Sequence, residues 1–312
     1  MKIALITDST SDISPEEAKA NDITVVPIPV IIGDKQYMDG IDITAEKLFE
    51  LERDGAPFPK TSQPSPGTML ELCQKLKDEG YEAIIAIPLT SGISGFYNSL
   101  VNLAHTHPEF NLYPYDPAMT VRSMGNLVLA AAKMIKNGWE PKEILAKLDE
   151  IRDTIDVLFV VDDLNNLVRG GRLSNASAFI GTMLQIKPLL TFKKDDYQIV
   201  SFDKVRSMKR AVKKAENITI ERINNSPIKD NIALTVYNSN DLEQATKVKD
   251  DFQAAFPNMT IKMFNFSSVI ATYLGEKSLG ITWMADIDKM DFSKNNHIKN
   301  RRARAAFLFF NK

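Results

Sequence analysis

The sequence predicts an α/β protein of two domains, an N-terminal mostly parallel sheet flanked by helices and a C-terminal α/β domain on a mixed sheet. Three observations predict it. The chain has 312 residues, too many for one small domain. Apolar residues make up 44% and charged residues 25%, so burial can offset chain entropy and a real core is expected. From Lys2 onward, short apolar runs alternate with helical patterns, the rhythm of strands joined by crossover helices.

In the first domain, strands are expected over residues 2–6, 24–32, 82–87 and 111–115. Ser14-Pro15-Glu16-Glu17 carries the serine and glutamate of a capping box with proline at the first helical position, and Ser65-Pro66 opens a helix bearing Leu70, Cys73 and Leu76. Asn137-Gly138 closes a helix over 127–136, and a helix over 141–153 ends the domain. The second block starts with Val157-Leu158-Phe159-Val160-Val161, turns at Gly170-Gly171 and forms a hairpin around Lys193-Lys194-Asp195-Asp196. Helices over 208–223 and 242–256 and strands over 232–237, 260–264 and 279–283 complete it. The domains are set at 1–155 and 156–285, with 286–312 a polar, then basic-aromatic tail. No low-complexity linker separates them, so they are expected to pack tightly around a cleft of the kind that takes ligands.

Composition narrows the partners. Lys and Arg number 38 against 40 Asp and Glu, a net charge of −2 that offers a phosphate backbone no long-range attraction, so nucleic acid is not an expected partner. The single cysteine, Cys73, forbids an intramolecular disulfide and any multi-cysteine metal site, and its apolar helical face marks it as a buried structural thiol. Only Ile3 to Ile6 are apolar before Thr7-Asp8-Ser9, too short for a signal-peptide core, and no run of about 20 apolar residues exists. A cytoplasmic location is expected.

Three segments could carry chemistry. Thr90-Ser91-Gly92-Ile93-Ser94-Gly95 follows a strand and precedes a helix, where hydroxyls and free N–H groups can face an anion; a plain strand-to-helix turn reads the same way. Lys60-Thr61-Ser62-Gln63-Pro64-Ser65-Pro66-Gly67 is stiffened by two prolines; Ser65 as a helix cap leaves Thr61 and Ser62 unexplained. Leu164-Asn165-Asn166-Leu167-Val168-Arg169-Gly170-Gly171-Arg172-Leu173-Ser174, followed by Ile186-Lys187-Pro188-Leu189-Leu190, offers Arg172, as Arg206 does further on, as a planar donor or a solvated surface residue. Catalytic equipment is thin. The chain has no G-x-x-x-x-G-K-[ST] loop and no G-x-G-x-x-G after its first strand, and His105, His107 and His297 fit no metal-ligand pattern. Ser94 is not in a nucleophile elbow. Asp8 and Asp12 could pair as carboxylates, but bonding to the turn N–H groups of Asp8-Ser9-Thr10-Ser11-Asp12 is the reading preferred.

Taken together, Asp8-Ser9-Thr10-Ser11-Asp12, Met38-Asp39-Gly40, Thr61-Ser62-Gln63-Pro64-Ser65, Ser91-Gly92-Ile93-Ser94-Gly95, Gly170-Gly171-Arg172-Leu173 and Ile186-Lys187-Pro188 make the chain resemble the DegV family over residues 1–284. Characterised members bind fatty acids and act as acyl-carrying subunits of a bacterial fatty acid kinase. The resemblance implies a long-chain fatty acid in a tunnel between the domains, its carboxylate held by Thr61 with Ser62 and by Ser94 with the Gly95 N–H. It also implies that phosphoryl transfer belongs to a separate kinase subunit, so that this chain is not an enzyme by itself and needs no cofactor or metal beyond the bound fatty acid. Arg172 and Arg206 are candidate kinase contacts or structural pairs. One residue departs from the family pattern: Ala271-Thr272-Tyr273-Leu274-Gly275 stands where members usually carry a histidine. Tyr273 is expected to touch the head group, but a phenol carries no positive charge near neutral pH and would neutralise an acyl-phosphate less well.

An alternative of another class is a small-molecule hydrolase or phosphotransfer enzyme using Asp8, Asp12 and Ser94; a third is an interaction module that has lost its kinase. The tail, with Arg301, Arg302 and Arg304 before Phe307-Leu308-Phe309-Phe310, could lie at an anionic membrane surface, transiently at most, or pack on the protein itself or a second copy.

Overall fold

The computed structural model describes residues 1–179 and 186–294. Along the first lobe the elements are β1 (Ile3–Asp8), α1 (Pro15–Asn21), β2 (Ile23–Val26), β3 (Pro29–Ile32), β4 (Lys35–Met38), α2 (Ala45–Arg53), β5 (Lys60–Thr61), α3 (Pro66–Asp78), β6 (Ala83–Ile87), α4 (Phe96–Thr106), β7 (Leu112–Pro114), α5 (Val121–Lys136) and α6 (Pro141–Arg152). Strands β1 and β6 are buried at every position, as parallel strands covered by helices on both faces must be. The sheet is all parallel in the order β2-β1-β6-β7. The expected helix starts are present. The Ser14 hydroxyl accepts from the Glu17 N–H at 3.1 Å while Glu17 accepts from the Ser14 N–H at 3.1 Å, and Ser65 accepts from the Thr68 N–H at 3.0 Å.

The strand expected over 24–32 is in fact two strands in two sheets. Pro27 has no N–H to give a ladder, and the Ile28 N–H turns away to the Ser9 hydroxyl at 3.1 Å. The chain then leaves the parallel sheet, and Pro29 opens a small antiparallel sheet ordered β4-β3-β5. Neither that sheet nor α2 is evident in the apolar pattern. His105 lies in the last turn of α4. His107, just beyond, sits 3.0 Å from Glu109 and stacks on Phe110.

The second lobe runs β8 (Asp156–Val160), α7 (Asn165–Arg169), β9 (Lys187–Phe192), β10 (Ile199–Val205), α8 (Met208–Asn224), β11 (Ile232–Asn238), α9 (Leu242–Ala255), β12 (Thr260–Asn265), α10 (Ser268–Leu274) and β13 (Leu279–Ala285). Its six-stranded sheet, ordered β10-β9-β8-β13-β11-β12, is mixed: only β11 and β12 run parallel. Alternation sorts its side chains. Leu158, Val160, Leu234, Val236 and Ile281 point to α8 and α9 and form one core with Val212 and Val248. Val157, Phe159, Leu190, Ile199 and Tyr237 point the other way, toward the first lobe, and join Met119 and Val121 in an apolar layer between the lobes.

The chain returns to the first lobe twice. Helix α10 packs on α2, β3 and β5. After β13, Ile287 and Phe292 are buried in the first-lobe core, with the Trp139 indole N–H donating to the Phe292 carbonyl at 2.9 Å and Lys133 Nζ to that of Ile287 at 3.1 Å. Arg301, Arg302, Arg304 and residues 307–310 lie outside the described residues, as does His297. No helix among the described residues is long and apolar enough to cross a membrane.

Candidate functional site

Strand β1 hands the chain to β2 on one side, and β6 hands it to β7 on the other, so a crevice opens at the carboxyl ends of β1 and β6. The second lobe closes this crevice into a cavity. Its lower wall is made of Ile28, Leu89, Met119, Thr120 and Val121. Its opposite wall is the inner face of the six-stranded sheet: Ile199, Phe192, Val157 and Phe159, Gly280 and Thr282, and Tyr237. These residues come from five adjacent strands, β10 to β11. Four inter-strand spacings make that wall about 19 Å long. The space between these walls, with the solvent-open volume at its mouth included, is about 980 Å³. Gly280, in the middle of the wall, makes room for the Phe266 ring, which would lie 2.8 Å from a Cβ there and which stacks on Tyr237 at 5.2 Å.

The polar groups gather at one end. Strand β5 ends in Thr61 and the loop after it brings Ser62 and Gln63, the loop after β6 brings Ile93, Ser94 and Gly95, and α10 brings Tyr273. Thr61 Oγ1 and the Tyr273 hydroxyl are 2.6 Å apart. In such a pair one hydroxyl donates to the other, and the second proton stays free to point into the cavity. Gln63 Nε2 donates to the Ser99 hydroxyl at 2.8 Å, and Gly95 fits under the Gln63 carbonyl oxygen, 2.7 Å from where a Cβ would be. Ser94 Oγ accepts from the Phe96 N–H at 3.2 Å, so its own proton is available to another acceptor. Arg172 also lines this end. Its guanidinium lies 4.8 Å from the centre of the Tyr273 ring, with Nε donating to the Ile93 carbonyl at 3.3 Å and a terminal nitrogen to that of Gly170.

Thr61, Ser62, Ser94, Gly95, Tyr273 and Arg172 thus share one cavity mouth, whereas Arg206 is exposed just past β10 and takes no part in it. Gln63, Gly280 and the sheet residues of the inner wall were not singled out from sequence. Gln63 lies inside the Thr-Ser-Gln-Pro segment and could have been; the sheet residues sit in strands apolar on both faces, where nothing distinguishes the face that borders a void.

Asp8 and Asp12 serve the scaffold. Asp8 Oδ1 accepts from the Thr10 N–H at 2.9 Å and its hydroxyl at 2.7 Å, and Oδ2 from the Leu89 N–H at 2.6 Å, which ties β1 to the loop after β6. Burial pushes the Asp8 carboxyl up to about 6, against those three hydrogen bonds. Burial likewise raises Asp12, which sits beside the Arg122 guanidinium. Cys73 is fully buried and its thiol is pushed up to about 11. Among the described residues no group of three or more His, Cys, Asp or Glu side chains is placed to hold a metal.

A folded-state value above the unfolded one means that the native protein keeps a proton the unfolded chain has released, so stability falls as pH rises from about 4 through 6. From Asp8 alone the loss between pH 5 and pH 7 is about 1.3 kcal/mol, with Asp12 adding in the same direction. Urea unfolding at both pH values should show it, and Asp8→Asn should flatten the difference by that amount. An unchanged slope in the variant would refute the assignment.

A two-lobed α/β protein whose lobes enclose a long, mainly apolar chamber with hydroxyl groups gathered at its mouth is the class that fold and cavity define. Comparison with known proteins is specific. The model of the DegV family, described as uncharacterised proteins, matches residues 2–286. A DegV domain-containing protein of Listeria monocytogenes is 38% identical over 282 residues, covering 90% of this chain and 98% of its own. The crystal structure of DegV from Bacillus subtilis, a fatty acid binding protein, superposes with a TM-score of 0.82 at 34% identity, covering 91% of this chain and 99% of its own. That of a fatty acid binding DegV family protein from Streptococcus agalactiae gives 0.84 at 32%, with the same coverage. The chain belongs to the DegV family.

Proposed function

We propose that this protein binds a long-chain fatty acid, with the acyl chain along the inner wall of the six-stranded sheet and the carboxylate at Thr61, Ser62, Ser94, the Gly95 N–H and Tyr273. It presents that carboxylate to a separate fatty acid kinase in the cytoplasm and uses no cofactor of its own. The observation that carries the reading is the division of the cavity into a long apolar wall and a mouth of hydroxyls. Fatty acid binding by solved relatives at 34% and 32% identity supports it. Burying roughly 14 methylenes at about 0.8 kcal/mol each contributes about 11 kcal/mol before association costs. The carboxylate must find donors or cancel much of that gain. The free protons of Ser94 and of the Thr61–Tyr273 pair are such donors, and Arg172 supplies the cation that a phenol lacks.

Denaturing extraction of the purified protein followed by mass spectrometry is expected to release one long-chain fatty acid per chain. Protein that is empty, and that also takes up no added fatty acid, would overturn the proposal. With a cognate kinase, Tyr273→His is expected to raise acyl-phosphate formation on the order of tenfold, because an imidazolium makes a charge-assisted bond where the phenol makes a neutral one. A variant no faster than the parent would count against Tyr273 as a head-group contact.

A further inference from the structure

Helix α10 has only seven residues, too few to hold its own shape without outside support, yet four of them, Val269, Ile270, Tyr273 and Leu274, line the cavity. The small antiparallel sheet supplies that support at two points. Asp39, at the end of β4, is buried, and its Oδ1 accepts from both the N–H of Ser268 at 2.9 Å and its hydroxyl at 2.6 Å. Thr61, on β5, meets Tyr273 at 2.6 Å. Strands β4 and β5 flank β3, so the two grips stand about 10 Å apart, two inter-strand spacings. Ser268 and Tyr273 are five residues apart on the helix, about 7.5 Å along its axis. The helix therefore lies across the sheet, held at its first residue and near its last.

We infer that Asp39 is a positioning residue for the cavity mouth: by fixing the first residue of α10 it sets where the Tyr273 hydroxyl meets Thr61. Among the described residues nothing else bonds to the Asp39 carboxyl in competition with Ser268, and its Oδ2 is buried without a partner. Removing the carboxyl leaves two buried Ser268 donors with no acceptor, and the helix is free to shift toward new ones. The effect on ligand binding rests on the fatty acid reading; the effect on Tyr273 does not.

The test separates the two. With 3-fluorotyrosine at position 273 of the full chain and no ligand, the fluorine resonance of Asp39→Asn, which keeps an acceptor oxygen for Ser268, is expected to coincide with the parent's. That of Asp39→Ala is expected to move by more than a linewidth or to split. Ser268→Ala, which loses one of the two bonds, is expected to fall between them and takes the place of Asp39→Ala should that variant fail to fold. An unmoved resonance in these variants overturns the inference. In titrations with oleate, Asp39→Ala is expected to bind at least tenfold more weakly than the parent, but within twofold of the single variant when added to Tyr273→Phe, because both changes remove one contact. Fully additive losses overturn the inference. A parent that binds no oleate removes the fatty acid reading, while the fluorine resonance still decides the role of Asp39.

Discussion

Replacing Arg122 with methionine is expected to cost about 3–5 kcal/mol of stability, the range for removing one partner of a buried ion pair. Arg122 is 4% exposed, its terminal nitrogens meet both Glu17 oxygens at 2.7 and 2.5 Å, and one of them also donates to the Asp12 carbonyl at 3.0 Å. Its guanidinium lies 5.4 Å from the centre of the Phe264 ring in the other lobe. Methionine fills a similar volume but leaves Asp12, whose Oδ2 has no hydrogen-bond partner among the described residues, without its neighbouring cation. Glu17 is a third exposed, so Glu17→Gln should cost much less, about 1 kcal/mol. Urea denaturation of the two variants beside the parent is the measurement. A loss under 1 kcal/mol for Arg122→Met would show that water takes over the pairing.

Gly92→Ala is expected to damage the cavity mouth from outside it. A Cβ at Gly92 would stand 1.9 Å from the Tyr197 carbonyl oxygen and 2.2 Å from its carbon, backbone atoms at the tip of the hairpin between β9 and β10. No rotamer relieves a clash with backbone, so either the hairpin or the loop carrying Ser94 must move. The strain is expected to cost about 3 kcal/mol. Fatty acid affinity should fall at least tenfold, because the hairpin carries Phe192 and Ile199 into the cavity and the loop carries Ser94 and Gly95. Gly67→Ala is the control. A Cβ there meets nothing nearer than the Ser65 hydroxyl at 3.7 Å, and alanine favours α3 by about 0.8 kcal/mol. Calorimetric titration showing Gly92→Ala as tight as the parent would mean that the hairpin yields without disturbing the mouth.

The local parts of this fold were legible in the sequence because short-range chemistry sets them. The Ser14–Glu17 capping box closes within one helical turn, Asn137-Gly138 needs only the helix it ends, and the hairpin at 193–196 needs only its two strands. Asp8 bonding to its own turn is of the same kind. The failures are tertiary. Residues 24–32 read as one strand because apolar pattern is blind to a change of sheet, though Pro27 marks the break. Helix α10 went unassigned because Ser268 to Leu274 is buried on nearly every side and shows no amphipathic period; Ser267 before it and Gly275, at φ 74°, after it were the available signals. The hydroxyl loops could be picked out singly, but nothing local says that Thr61 and Tyr273, 212 residues apart, are hydrogen-bonded neighbours. Arg172 shows the same limit: a planar donor in a Gly-Gly turn is legible, its place over the Tyr273 ring is not.

The double return of the chain to the first lobe governs when that lobe can mature on the ribosome. Val269, Ala271, Met284, Ile287 and Phe292 fill a core otherwise built from residues 3 to 151. A nascent polypeptide that has emerged only as far as β12 still lacks all five, and its apolar gap stays open to solvent and to chaperones. The usual order, in which an amino-terminal unit folds before the next is made, is therefore denied here, and both halves must consolidate together once Phe292 has emerged.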